Sequence, residues 1–282
     1  IGQTASFAAA VAVQGNHAYV AEGSRFAVYN VTNPAKPTLV GYYNTPNFIF
    51  YVKVDGSYAY VGNEDGIRII SIANPAAPGE VGFFGMQRDP YGMTVVGSHV
   101  FVTDGNSLRV VDVANPASPI VIGNLSIRDA NGVTVVGNYA YVAAQGYGLH
   151  IIHVANPALP VLVGTYDTPG FAIDVAVAGN YAYVTNYRYG LAIVNVANPA
   201  AAVGIGIYRL PGDALRVVKA GNYAYIADWE SGLAVIDVAN PAASAEAVSY
   251  DTPGMVGDVA VAGNYVYIAD DTGGLKILRH KK

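Results

Sequence analysis

Asp174, Arg216 and Asp258 recur at intervals of 42 residues, each five residues ahead of a glycine that opens a Gly-Asn-Tyr string. Two carboxylates flanking a guanidinium either neutralise one another as an internal ion-pair cluster or form a polar ligand or cation site. The ion-pair cluster is the preferred reading. The same position holds Tyr51 in another copy, with Lys53 two residues further on. With Asp89, Asp129 and Asp213 as further oxygen donors a calcium ion would be chemically suited, but Arg216 would compete with it, so no cofactor is expected. A second set is aromatic, in three short segments: Gln145-Gly146-Tyr147, Tyr187-Arg188-Tyr189 and Trp229-Glu230-Ser231. Rings interspersed with Arg and Glu either anchor a protein partner or stack on sugar faces, since Trp, Tyr and Arg dominate binding energy. Packing between neighbouring repeats is an equal alternative.

Other chemistries are excluded or unsupported. The 282 residues contain no cysteine, so disulfides, thiolate nucleophiles and zinc–thiolate sites are ruled out. His17 and His99 stand in a tyrosine slot of the repeat, and His150 and His153 fall on opposite faces of one strand, so no histidine pair has metal-ligand spacing. There is no Gly-x-Ser-x-Gly elbow, His-Glu-x-x-His, phosphate loop or dinucleotide fingerprint. A formal charge of −5 and a pI near 5.4 supply no basic field for a phosphate backbone, so nucleic acid is not an expected partner. Charged residues make up only 12% and mean hydropathy is +0.31, which excludes disorder. The uncharged run 130–166 is long enough to span a bilayer, but it is built from the repeat and broken by glycines and Pro157, so no membrane insertion is expected.

The elements that position these residues come from the repeat. The turn glycine falls at Gly15, Gly56, Gly97, Gly137, Gly179, Gly221 and Gly263, giving seven copies of about 41 residues. Asn-Pro recurs at Asn33, Asn74, Asn115, Asn156, Asn198 and Asn240. One copy, 171–208, reads as four short strands rich in β-branched and aromatic residues, punctuated by Gly, Asn and Pro, with no helical period. Four strands per repeat, seven times over, predict an all-β chain: a seven-bladed β-propeller occupying residues 1–282 as one domain. The last copy ends after its third strand, and Ile1-Gly2-Gln3-Thr4 matches the fourth-strand slot of Val163-Gly164-Thr165-Tyr166, so residues 1–5 are expected to complete the last blade. In that architecture the Gly-Asn and Asn-Pro turns share one face. The loops joining second to third strands and successive blades lie on the other, variable face, where Tyr147, Tyr187, Arg188, Tyr189, Trp229 and Glu230 are the candidate binding residues. Asp174, Arg216, Asp258, Tyr51 and Lys53 are placed at the mouth of the channel.

The third strands Leu108-Arg109-Val110-Val111-Asp112 and Leu233-Ala234-Val235-Ile236-Asp237, each followed by Val-Ala-Asn-Pro, resemble the LVIVD repeat family of β-propellers. The resemblance implies a bacterial or archaeal protein that is extracellular or on the cell surface, and it brings no common catalytic residues. Copies depart from the pattern at its Asp slot, which holds Asn30, Ser71, His153, Asn195 and Arg279.

The sparse charge carries a further expectation. A folded chain of 29.4 kDa exposes ~11,500 Å², or about one charge per 330 Å², which suits contact with other molecules. The function expected first is a non-catalytic interaction module binding a protein or glycan through the variable face. The second is a self-associating subunit of a surface layer or filament, paired through apolar outer strands such as Pro-Thr-Leu-Val-Gly-Tyr-Tyr at 37–43. An enzyme with a metal in the channel comes third. Asn30 and Asn124 head Asn-x-Ser/Thr triplets compatible with glycosylation.

Overall fold

Each turn glycine dictates where a hairpin forms. All seven have φ between 55° and 58°, and a Cβ built on any of them would meet nothing within 4 Å. Glycine is therefore required for its backbone conformation, as at the first central position of a type II′ hairpin. The Asn-Pro turns are shaped by a side chain: the Oδ1 atoms of Asn33, Asn74, Asn115, Asn156, Asn198 and Asn240 accept the amide two residues on, at 3.2–3.3 Å.

The computed structural model describes residues 2–4 and 6–280. Between these turns the chain forms seven antiparallel sheets of four strands, an all-β seven-bladed β-propeller. The blades span 10–44, 49–85, 92–126, 133–166, 174–208 and 214–250, with the seventh formed by 258–279 and the strand Gly2–Gln3. Among the described residues the sole helical element is the 3-10 turn Pro241–Ala243, and no helix is long and apolar enough to cross a membrane. Second and third strands are buried on both faces, so Tyr181–Thr185 and Leu191–Asn195 read as continuous apolar runs. The accessible area of 11460 Å² matches the expectation from mass.

The N-terminal strand behaves as the sequence predicts. Gly2 pairs with Ile277 and Gln3 with Lys276, and Thr4 N donates to the carbonyl of Leu275 at 2.9 Å. Ile1 and Ala5, part of the same expectation, lie outside the described residues. A Cβ on Gly2 would collide with the carbonyl oxygen of Pro34, just as a Cβ on Gly41, Gly82, Gly123 or Gly164 would collide with Pro75, Pro116, Pro157 or Pro199. In blades 1–4 and 7 the fourth strand thus needs a residue without a side chain where the Asn-Pro turn of the following repeat presses against it. Blade 6 carries Val248 at that register, and the repeat that follows it contains no Asn-Pro.

Contacts group the chain into two compact units. Ile1–Pro90, Val113–Pro119 and Thr252–Lys282 hold blades 7, 1 and 2; Tyr91–Asp112 and Ile120–Asp251 hold blades 3 to 6. In the first unit, Val11, Val20, Tyr267 and Ile277 form the core between blades 7 and 1. In the second, Tyr141, Ile151, Val175 and Val194 close the space between blades 4 and 5, and Tyr183, Ile193, Val217 and Ile236 that between blades 5 and 6.

Candidate functional site

The loops between second and third strands are anchored through single strained residues. Gln145, Tyr187 and Asp271 occupy equivalent positions and adopt φ of 36°, 37° and 43°, in the left-handed region. Each forms an isolated antiparallel bridge with the segment leading into the next blade: Gln145 with Ala172, Tyr187 with Ala214, and Asp271 with Ala8. Gln145 and Ala172 exchange two hydrogen bonds of 3.0 Å, and Ala214 N donates to the Tyr187 carbonyl at 3.0 Å. With the anchor held, the residues that follow it, Gly146-Tyr147 and Arg188-Tyr189, are turned outward and exposed.

In blades 3 to 6 these exposed residues form aromatic and guanidinium pairs. Arg128 lies over Tyr147 with its guanidinium carbon 5.3 Å from the ring centre, Arg209 over Tyr189 at 5.3 Å, and Arg188 over Tyr187 at 5.7 Å. Tyr147 and Tyr189 each remain 40% exposed, and Phe171 and Tyr91 are exposed as well. Their seats are glycines. The ring of Tyr189 fills the space a Cβ of Gly170 would need, Tyr91 lies against Gly105, and Phe171 lies against Gly146. The Arg188 side chain is 3.6 Å from Asp213, whose hydrogen bond to the Tyr187 phenol is the main cause holding that phenol's pKa above its ordinary value. Trp229 is half-buried, with its amide donating to the Asp213 carbonyl at 3.1 Å, and Glu230 is exposed. Four of the six expected loop residues, Tyr187, Arg188, Tyr189 and Trp229, thus contact Asp213 or Arg209, while Tyr147 pairs separately with Arg128 and Glu230 stands exposed next to Trp229 in the chain.

The expected channel-mouth residues divide between the two units, Asp174 and Arg216 in one and Asp258, Tyr51 and Lys53 in the other. Each aspartate ties its blade to the next. Asp174 Oδ2 accepts the Val217 amide of blade 6 at 3.2 Å, and Asp258 Oδ2 accepts the Val11 amide of blade 1 at 3.0 Å. Asp258 Oδ1 also accepts from Val259 N at 2.9 Å. A Cβ on Gly132 would strike Asp174, so the first strands of blades 4 and 5 nearly touch there. Arg216 and Tyr51 are half-buried, and Lys53 is exposed. Val175, Val217 and Val259, the next residues along the same strands, are buried. Among the described residues no three His, Cys, Asp or Glu side chains are grouped to hold a metal ion.

Arg209 is the contributor that sequence reasoning did not single out. It sits in the segment between blades, and its role comes from where the Tyr189 ring is seated, which no spacing rule conveys.

The family model described as LVIVD repeat matches residues 7–45, 51–85, 88–126, 127–168, 169–209, 211–252 and 253–278. No curated protein matches the chain in sequence. Among solved structures, a chain of the mitotic checkpoint complex superposes with a TM-score of 0.82 at 13% identity, covering 100% of this chain and 91% of that one. The Pan2 WD40 domain of Neurospora crassa gives 0.73 at 12% identity, with 99% and 92% covered. BamB from Moraxella catarrhalis gives 0.65 at 12%, with 97% and 82% covered. At such identities these likenesses concern the fold alone.

Proposed function

The chain belongs to the LVIVD repeat family, and on that premise we propose that it is a protein-interaction module whose contact surface is the loop face of blades 3 to 6. The observation that carries this reading is the row of exposed aromatics with their arginines: Tyr91, Tyr147, Phe171 and Tyr189 with Arg128, Arg188 and Arg209. Tyr and Arg together, on loops pre-set by backbone bridges, are the composition of binding hot spots and lose little entropy on docking. A protein is favoured over a glycan because Tyr147 and Tyr189 each have a guanidinium over the ring, and Tyr189 is also seated on Gly170. A sugar platform needs a free ring face. Among the settings the fold allows, we favour the extracellular or cell-surface one that the family resemblance implies, without catalysis.

The test is affinity capture from the source cells with the wild type, with a variant carrying Tyr187→Ala, Tyr189→Ala and Trp229→Ala, and with a control altered at exposed Asn222 on the opposite face. A protein retained by wild type and control and lost by the triple variant supports the face. Retention by all three refutes it. Glycan-array binding that the triple variant abolishes would keep the face and replace the partner class.

A second reading rests on the outer strands of blades 3, 4 and 5. Residues 116–126, 157–166 and 199–208 contain no charge, and Ile120, Leu159, Val161, Val203 and Ile207 are exposed on them. Unpaired edges of this kind are templates for pairing with a second copy. Light scattering behind a sizing column, over a wide range of protein concentration, separates the readings: constant mass at 29.4 kDa favours the module, and growth favours assembly.

A further inference from the structure

One slot at the end of the second strand recurs around the blades, and its occupants are satisfied unequally. Asp104 of blade 3 is 1% exposed; its Oδ1 accepts from Asn106 N at 3.1 Å, Ser107 N at 2.8 Å and the Ser107 hydroxyl at 3.0 Å, and its Oδ2 pairs with Arg109 at 3.0 Å. Asp270 of blade 7 is 0% exposed and accepts the Thr252 hydroxyl and the Gly254 amide, the latter at 3.3 Å, with the Lys276 ammonium 3.4 Å away. Both carboxylates have hydrogen bonds and a cation.

Blade 6 keeps the carboxylate but not the hydroxyl and the cation that blade 7 sets against it. Asp228 is 1% exposed, yet Leu210 stands where blade 7 has Thr252, and Ala234 where it has Lys276. Gly212 N still donates to Oδ2 at 3.3 Å, as Gly254 does to Asp270, while Oδ1 has no hydrogen-bond partner among the described residues. From the segment leading into blade 6 the charged group facing it is Asp213, of like sign and itself 3.6 Å from Arg188. Its own loop supplies Ser231 and the exposed Glu230, and the third strand supplies the uncharged Gly232 and Ala234. Burial, reinforced by Asp213 and only partly offset by Gly212 and Ser231, raises its pKa above the ordinary 3.8.

We propose that Asp228 is a proton-operated latch beneath the binding face, closing the Trp229-Glu230-Ser231 loop and the Gly212-Asp213 segment over itself when neutral and loosening both when ionised. A neutral carboxyl tolerates the slot with only the Gly212 amide and the Ser231 hydroxyl near it. A carboxylate there must recruit water, and the groups in its way are Asp213, which holds Tyr187 and Arg188, and the loop bearing Trp229. Regulation of binding by this latch rests on the proposed face; the latch itself does not.

Trp229 is the one tryptophan of the chain, so its emission reports this loop without labelling. Titrating the intact protein between about pH 3 and 8, where carboxyls and His change state, is expected to show a transition with its midpoint above the ordinary 3.8. Asp228→Asn is expected to abolish it while leaving the fold intact, since Asn63 and Asn186 already occupy the slot in blades 2 and 5. Leu210→Thr, which restores the blade 7 hydroxyl, is expected to lower the midpoint. A flat titration, a midpoint at or below 3.8, or an unchanged transition in Asp228→Asn would overturn the latch and leave the binding face standing. Capture unaffected by Tyr187→Ala with Tyr189→Ala would overturn the face and leave the latch.

Discussion

Asp258 illustrates how one side chain can hold two blades together. Its Oδ2 caps the amide of Val11, 247 residues away in the chain, as Asp174 caps Val217. Asp258→Ala leaves that N–H without its acceptor, which costs about 1–3 kcal/mol. Asp258→Asn keeps an oxygen in place and is expected to cost less than half as much, both measurable by urea unfolding. Asp228 has the opposite character. Its folded-state pKa is raised, so between the unfolded and folded values the native state holds more protons, and stability is lost as pH climbs through the folded pKa. At neutral pH Asp228→Asn is therefore expected to raise the melting temperature by a few degrees, while at pH 3, with the carboxyl neutral in both states, the difference vanishes. The second tyrosines of the recurring Tyr-Ala-Tyr strings are scaffold: Tyr60, Tyr141, Tyr183 and Tyr225, with Tyr267 in the matching slot, are buried with pKa values pushed up by desolvation. The slot of Asp104, Asp228 and Asp270 is shared with Asn63 and Asn186, a choice of residues that suits turns. That describes Asp104, whose acceptors serve its own turn; for Asp228 the missing hydroxyl and cation become visible only when the neighbouring segment and third strand are superposed on blade 7.

Among the elements, the fourth strands show a contact that the turns alone do not explain. Glycine in Val163-Gly164-Thr165 is there because the carbonyl of Pro199 occupies the place of a side chain. Gly164→Ala forces backbone to move and is expected to cost about 1–3 kcal/mol by overpacking. Val248→Ala, at the same register in blade 6 and exposed, is expected to change stability by less than about 0.5 kcal/mol in the same denaturation series. Strand boundaries and hairpins were readable because Gly and Asn act on their own backbone. The anchoring of the variable loops was not, because the left-handed turns at Gln145, Tyr187 and Asp271 are imposed by bridges to Ala172, Ala214 and Ala8 in the following segment.

For the whole molecule, the closing strand provides the decisive prediction. Removing residues 1–6 takes away the Gly2–Gln3 strand, its pairing with Leu275–Arg279 and the contact of Gly2 with Pro34. The melting temperature is expected to fall by ten degrees or more, because a bare edge replaces a paired one; an unchanged melt would refute closure. Fold class, blade number, strand order and the identity of the closing strand were determined by the sequence itself. A period of about 41 residues repeated seven times states each local choice seven times over, so that accidents in one copy are outvoted by the others. What the tertiary structure decided was the meaning of residues that differ between copies. Arg209 meets Tyr189 and Asp258 meets Val11, while Asp228 lacks in blade 6 the hydroxyl and the cation that Asp270 has in blade 7. Such contacts join segments that are not neighbours along the chain. A side chain's reach across a blade interface depends on packing in three dimensions, which a periodic sequence does not encode position by position.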